Sequence, residues 1–469
     1  MEGREGILPL KLADARYVTQ LRRSVFRSLF AEIQMLRPFA LLSFTVLLPF
    51  AAASGQRPDP LVQEIDKRAK EVAPRVIEWR HDIHRNPELS FAETRTAALV
   101  AAHLRRLGIE VQTGVGGHGV VGVLKGGRPG PVVALRADMD ALPVTELADV
   151  PYKSTVRTVY NGVETGVMHA CGHDMHVAIL MGVAEVLSGM RAQLQGSVKF
   201  VFQPAEEGPP IGGAGPMIRD GVLENPKVDA IFALHVGPGP LGMVGYRGGP
   251  SQASTDNFRI VVRGRQTHGA MPATGVDPII VSAQILLGLQ TIVSRQVNLA
   301  QAPLVLTVGA IHAGLRENII PDTAVMIGTV RALSPTMRTE VHERMKRTAT
   351  NIAEASGATA EVTIIEGYPV TVNDLSLAEF VGPVLRRTVG TNKVFLTEAS
   401  MPAEDFSRFQ QRVPGLMFGL GVAPPNMDPS KVASNHSPLF QGDDNALEIG
   451  VRLMANVAAE YLRSGKPKM

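Results

Sequence analysis

The sequence predicts an α/β protein: a largely parallel sheet flanked by helices, interrupted by a smaller α+β insertion. Three observations carry this. Short apolar runs at 120–124, 132–136, 198–202 and 230–234 are mostly continuous rather than alternating, as expected of strands buried on both faces. Segments of helical periodicity alternate with such runs, the mark of strand–helix–strand units. Near Ser251 the order changes to β-α-β-β-α-β, the split arrangement of ferredoxin-like domains.

The elements follow in order. Ile65, Ala69, Val72, Val76 and Trp79 recur at helical spacing, as do Ala97, Val100, Ala101 and Leu104, and Gly108 stands where a helix ends. Residues 176–188 read as a helix between two strands. The insertion, 251–367, reads as strand 258–262, helix 278–294, strands 304–311 and 324–330, helix 336–355 and strand 360–365. The chain then returns to α/β character over 368–469 and closes with an amphipathic helix over 445–463. The catalytic domain is thus 60–250 joined to 368–469, split by the insertion.

Residues 1–55 read as a leader. Arg22, Arg23, Arg27 and Arg37 precede an apolar run at 39–50, and Ala51-Ala52-Ala53 supplies small residues for cleavage. The run is shorter than the roughly 20 apolar residues of a comfortable span and contains Pro49. Met35 makes a conventional start. Export to the periplasm or beyond is expected, with an uncleaved membrane anchor as the alternative. Residues 1–53 carry seven basic and four acidic residues, leaving 40 of each sign in the remainder. The basic balance therefore belongs to the leader and does not point to nucleic acid. No later span is read as membrane-crossing.

Cys171 is the only cysteine, so no disulfide forms within the chain. Two residues from His173 and just before a helix, it reads as a thiolate metal ligand. Glu206 and Glu207 follow a strand broken by Gln203-Pro204, and His235 follows the run 230–234. These positions lie beyond strand ends, where sites gather in open α/β sheets. His436 comes from the far end of the chain. Cys171, His173, Glu207, His235 and His436 are five ligands, one more than tetrahedral zinc takes. They suit two divalent ions, zinc or manganese. Glu206 is then free to act as general base. Each residue alone has an ordinary reading: a buried thiol, a solvated glutamate pair, a polar histidine after a strand.

The chain resembles the metal-dependent amidohydrolases that include hippurate hydrolases, N-acyl-amino-acid amidohydrolases and auxin-conjugate hydrolases, within the aminoacylase and carboxypeptidase superfamily. The resemblance spans 76–462. It rests on His84-Arg-Asn-Pro-Glu-Leu-Ser90, Leu135-Arg-Ala-Asp-Met-Asp-Ala-Leu-Pro143, Gly166-Val-Met-His-Ala-Cys-Gly-His-Asp174 and Phe202-Gln-Pro-Ala-Glu-Glu-Gly208. It continues through Asn318-Ile-Ile-Pro-Asp322, Gly328-Thr-Val-Arg331 and Glu404-Asp-Phe406.

The resemblance implies the same five ligands and Glu206 as base. It implies that the insertion is a lid that dimerises, with His268 reaching a partner's site to stabilise the oxyanion and Asn318 near substrate. It makes Asp138 and Asp140 carboxylates that orient ligands, with capping as the rival reading. Asp174 and His176 are set aside as non-ligands. Gly269 and Thr274 depart from the family's usual Ala and His. The implied reaction is hydrolysis of N-acyl or N-aroyl amino acids; a metallopeptidase of dipeptides or peptide termini, or a dead binding scaffold, are the alternatives.

Overall fold

The computed structural model describes residues 59–428 and 431–465; the leader read at 1–55 lies outside them. The main sheet has eight strands. Edge to edge they are Glu110–Val115, Gly119–Lys125, Gln195–Gln203, Arg128–Asp138, Ala230–Pro240, Gly415–Ala423, Val244–Tyr246 and Val394–Leu396. The centre is parallel: Arg128–Asp138 pairs in parallel with both neighbours, and Ala230–Pro240 with Gly415–Ala423. Gly119–Lys125 is antiparallel to Gln195–Gln203 and to Glu110–Val115. The expected largely parallel sheet is therefore mixed. The turn between Val115 and Gly119 is too short for a crossover, so those two strands must form a hairpin.

Both faces are covered. On one lie the helices Pro60–Arg85, His173–Ser188 and Asn445–Ser464, packing through Ile65, Val76, Leu180, Val183, Val451 and Leu462. The other buries Met217, Phe406, Phe409 and Met417 against Ala134, Val201 and Ile231. His173–Ser188 is apolar all round and almost wholly buried, as a central helix must be. It begins earlier than the periodicity suggested, so His173 lies in its first turn. Gly172 precedes it with φ +87°, where a Cβ would lie 2.4 Å from Val236 Cγ2. Only glycine fits there, and it aims Cys171 and His173 from one turn.

The insertion forms a four-stranded antiparallel sheet in the order Leu304–Ala313, Thr323–Ala332, Asp256–Arg263, Thr359–Glu366. The helices Pro278–Thr291 and Pro335–Ala355 pack on it, each opened by a capping side chain, Asp277 or Ser334, and a first-turn proline. The stretch Pro278–Gln296 is long and apolar enough to cross a membrane by length and composition, which the sequence reading overlooked. Here its Val281, Ile285, Leu289 and Ile292 fill the core of this small sheet. Its outer face leaves Ile279, Ile280 and Leu287 exposed.

Candidate active site

Parallel strands bring their carboxyl ends to one rim, and the candidate ligands converge there. His235 lies within its strand rather than after it, because Gly415–Ala423 keeps pairing alongside as far as Pro240. Cys171 Sγ is 3.6 Å from His235 Nε2. His436 Nε2 is 2.9 Å from Glu207 Oε1. Ligand atoms of Cys171, His173 and His235 lie within 4.8 Å of one another, as do those of Cys171, Glu207 and His436, and those of His173, Glu206 and Glu207. Cys171 belongs to two of these triplets. Glu206 and the five candidate ligands are thus one cluster.

The donor set fits divalent cations. His173 Nδ1 donates to Asp140 O at 2.8 Å, and His235 Nδ1 donates to Val236 O at 2.7 Å. Each ring therefore turns Nε2 inward. His173 Nε2 is buried with no hydrogen-bond partner, an orphaned atom that a cation would satisfy. His176 differs. Its Nε2 accepts from Val236 N at 2.9 Å, so Nδ1 carries the proton and donates to Asp138 Oδ1 at 2.5 Å. It has no lone pair left for a metal. Asp174 is likewise occupied, by Arg80 Nε at 3.1 Å and His84 Nδ1 at 2.9 Å.

The electrostatics agree. Burial pushes the Cys171 thiol up, but His235 and His173 outweigh it and bring the group down to about 6. Burial pushes His235 down, while the Cys171 thiolate raises it to about 9. Hydrogen bonding to Cys171 and Glu207 raises His436 to about 10. The cluster thus draws positive charge to itself, as protons or as metal ions. Burial and the neighbouring Glu404, Glu207 and Asp405 push Glu206 well above the ordinary carboxylate range.

Asp140 holds the glutamate pair. Its Oδ1 accepts from Glu206 N at 3.0 Å and its Oδ2 from Glu207 N at 2.8 Å, while Ser90 Oγ donates to Oδ2 at 2.6 Å. Asp138 lies deeper, 3.7 Å from His173 Nε2, and is held by Arg136. His268 and Asn318 stand apart. Thr267–His268 pairs with Ile319–Ile320 in a two-stranded ribbon, and Asn318 O accepts from Gly269 N at 2.8 Å. Both side chains are exposed, and neither lines the cleft that holds the cluster. That cleft has a volume near 880 Å³. Its walls include Glu206, Glu207, His235 and His436 from the main sheet's rim and Thr255 and Arg331 from the inserted domain.

Sequence reasoning assigned no role to several residues here. Arg136 is buried and donates to Gln203, Glu404 and Asp405 at 2.9, 2.8 and 3.2 Å. Its signal was a charge inside an apolar strand, which requires buried partners. Tyr368 Oη donates to Glu206 O at 2.6 Å. Asn435 Nδ2 donates to Cys171 O at 2.9 Å and Val236 O at 3.2 Å, so the residue beside His436 ties its loop to the cluster.

A main sheet covered on both faces, a smaller inserted sheet and a Cys/His/Glu cluster at the cleft they line are the build of a metal-dependent hydrolase, and the family match makes the bond it cleaves an amide or peptide. Residues 134–460 match Peptidase family M20/M25/M40, and the chain belongs to that family. It is 42% identical over 404 residues to thermostable carboxypeptidase 2 of Saccharolobus solfataricus, covering 86% of this chain and 99% of that one. It is 37% identical over 394 residues to N-acetylcysteine deacetylase of Bacillus subtilis, covering 84% and 98%. Among solved structures, the Bacillus subtilis YXEP protein, described as a dinuclear metal binding peptidase from the M20 family, superposes with a TM-score of 0.72. It has 35% identity and covers 84% of this chain and 99% of that one.

Proposed function

We propose that this protein hydrolyses the amide bond of N-acyl or N-aroyl amino acids, releasing a carboxylic acid and a free amino acid. Cys171, His173, Glu207, His235 and His436 would hold two divalent ions, zinc or manganese, and Glu206 is the general base. The observation that carries this reading is the convergence of all six side chains into one cluster of overlapping ligand triplets, with the lone pair of His173 Nε2 unclaimed. Bound cations would polarise the scissile carbonyl and supply hydroxide near neutral pH.

The chain's own groups do the rest. Glu206 takes a proton at its carboxylate and returns it to the leaving nitrogen. Its position is set by Asp140 beneath its N–H and Tyr368 at its carbonyl. Asp140 also fixes the ring of His173 through its backbone carbonyl. Arg331 in the cleft wall supplies a cation suited to a substrate carboxylate.

The carboxypeptidase name of a 42% identical relative favours a second reading, cleavage of a peptide's C-terminal residue. Both readings share a leaving group, an amino acid with a free carboxylate. They differ in what lies on the acyl side. Steady-state kinetics of metal-loaded protein on hippurate, N-acetyl, indole-acetyl and dipeptide substrates separates them. Dipeptides preferred over every N-acyl substrate would overturn the first.

The proposal includes a homodimer formed through the inserted domain. Leu304–Ala313 is an edge strand of its sheet, and exposed Ile279, Ile280, Leu287, Val305 and Ile311 lie on that domain. An open edge beside exposed apolar residues suits a second copy. It also gives His268 a route to a site other than its own. The leader at 1–55 supports export; the N-terminal sequence of protein recovered from the producing cell tests it.

A further inference from the structure

Glu206 and Glu207 sit on a turn that the backbone does not adopt cheaply. Ala205, immediately before them, has φ +54° without being glycine. Three successive N–H groups, those of Ala205, Glu206 and Glu207, point back into the protein. Asp140 takes the second and third. The first is taken by Glu93, whose Oε1 accepts from Ala205 N at 2.7 Å and from Phe91 N at 3.1 Å. Glu93 is fully buried, and its Oε2 has no partner. A buried carboxylate is costly unless its bonds are needed, and these two join two loops. The same loop supplies Ser90, which donates to Asp140. A Cβ added at Gly208 would lie 2.6 Å from Phe91 Cε2, so the Phe91 ring closes over the far end of the turn.

We propose that Glu93 is a positioning residue for the reaction: it holds the strained Ala205 peptide so that Glu206 faces the substrate. The proposal rests on Glu206 being the base. A displacement of about 1 Å at a reacting group costs on the order of 100-fold in rate. Loss of this one acceptor should therefore appear in kcat, because the cleft walls that bind substrate are untouched.

The test compares E93A, E93D and E93Q in the full-length, metal-loaded protein. E93A should lower kcat on the order of 100-fold, with KM and metal content unchanged. E93D keeps the charge but is one methylene short, so it should behave like E93A. E93Q keeps an oxygen acceptor at the same reach and should restore most of the rate. Hydrogen exchange of the peptide spanning residues 204–208 gives an independent readout. Protection should fall in E93A and E93D and persist in E93Q, with the rest of the chain unchanged. Wild-type kcat and exchange in E93A, alongside an inactive E206Q, would overturn the proposal while leaving the base intact. So would equal losses in E93A and E93Q accompanied by lower stability throughout. An active E206Q would instead overturn the reading of the base.

Discussion

Glu206 and His268 are both assigned to the reaction, yet the chain treats them in opposite ways. Glu206 is buried, with its N–H held by Asp140 and its carbonyl by Tyr368. His268 is exposed on a two-residue ribbon, its Nδ1 accepting only from the nearby Ala270 N at 3.0 Å. The candidate metal cluster is assembled from side chains of one chain. The inserted domain instead carries His268 on an exposed ribbon that does not line the cleft. The contrast teaches where precision was needed. Atoms that hold cations and move a proton must sit within tenths of an ångström, so they are packed and hydrogen-bonded. An oxyanion donor needs the same precision, and on an exposed ribbon His268 can gain it only when the complete site is assembled around substrate.

The largest expected effect tests the finished half. Chelation should abolish activity, and added zinc or manganese should restore it, with two ions per chain by elemental analysis. Cys171→Ala, removing the thiolate common to two ligand triplets, should lose metal as well as turnover. Full activity with one ion or fewer would sink the two-ion reading. Next comes Glu206→Gln, expected to keep metal and melting temperature while losing more than the roughly 10²–10⁴-fold typical of one acid–base group. The excess is expected because one carboxylate serves both halves of the reaction. Near-normal turnover would show that the water is activated elsewhere.

His268→Ala sharpens the comparison from the lid side. Losing one donor to a developing oxyanion costs about 10²–10³ in kcat, and metal content should not change. If His268 acts across a dimer, mixing His268→Ala with Glu206→Gln protein should regenerate activity, since one site of the mixed dimer is intact. A dimer that exchanges subunits and shows no rescue would return His268 to its own chain or remove it from catalysis.

The smallest effect concerns how the inserted domain is built. Asp256, buried at the start of its first strand, accepts from Arg338 Nε at 2.9 Å, His342 Nε2 at 3.0 Å and Gly367 N at 3.1 Å. Burial pushes this carboxyl up, but His342 and Arg338 outweigh it and hold it below the usual range. A depressed carboxylate adds stability above its unfolded pKa of about 4, and that stability is lost as pH falls through the lower folded value. Asp256→Asn should therefore cost about 3 kcal/mol at neutral pH. The gap to wild type should narrow below about pH 4. Denaturant melts across pH check this. An unchanged gap at acid pH would mean that packing, not charge, sets the loss, and metal content should be unaffected throughout.

Much of this protein was legible in order along the chain. Continuous apolar runs announced strands buried on both faces. The β-α-β-β-α-β order announced the inserted sheet, and Cys171 two residues from His173 announced a candidate ligand pair on one turn. These are local properties, fixed by period, by the left-handed glycine at 172 and by residue chemistry. Tertiary structure decided what depends on which distant atoms meet. The family resemblance set His176 and Asp174 apart from His173, but the physical reason is tertiary: the Val236 N–H occupies one and the Arg80–His84 pair the other. Arg136 lies 268 residues before the adjacent Glu404 and Asp405, and the three become one buried ion group only in the folded chain. Glu93 drew no reading from the sequence, because the N–H it holds belongs to Ala205, 112 residues away along the chain. Hydrogen bonds between remote segments leave no periodic trace, so the sequence could name candidate ligands but not what holds them in place.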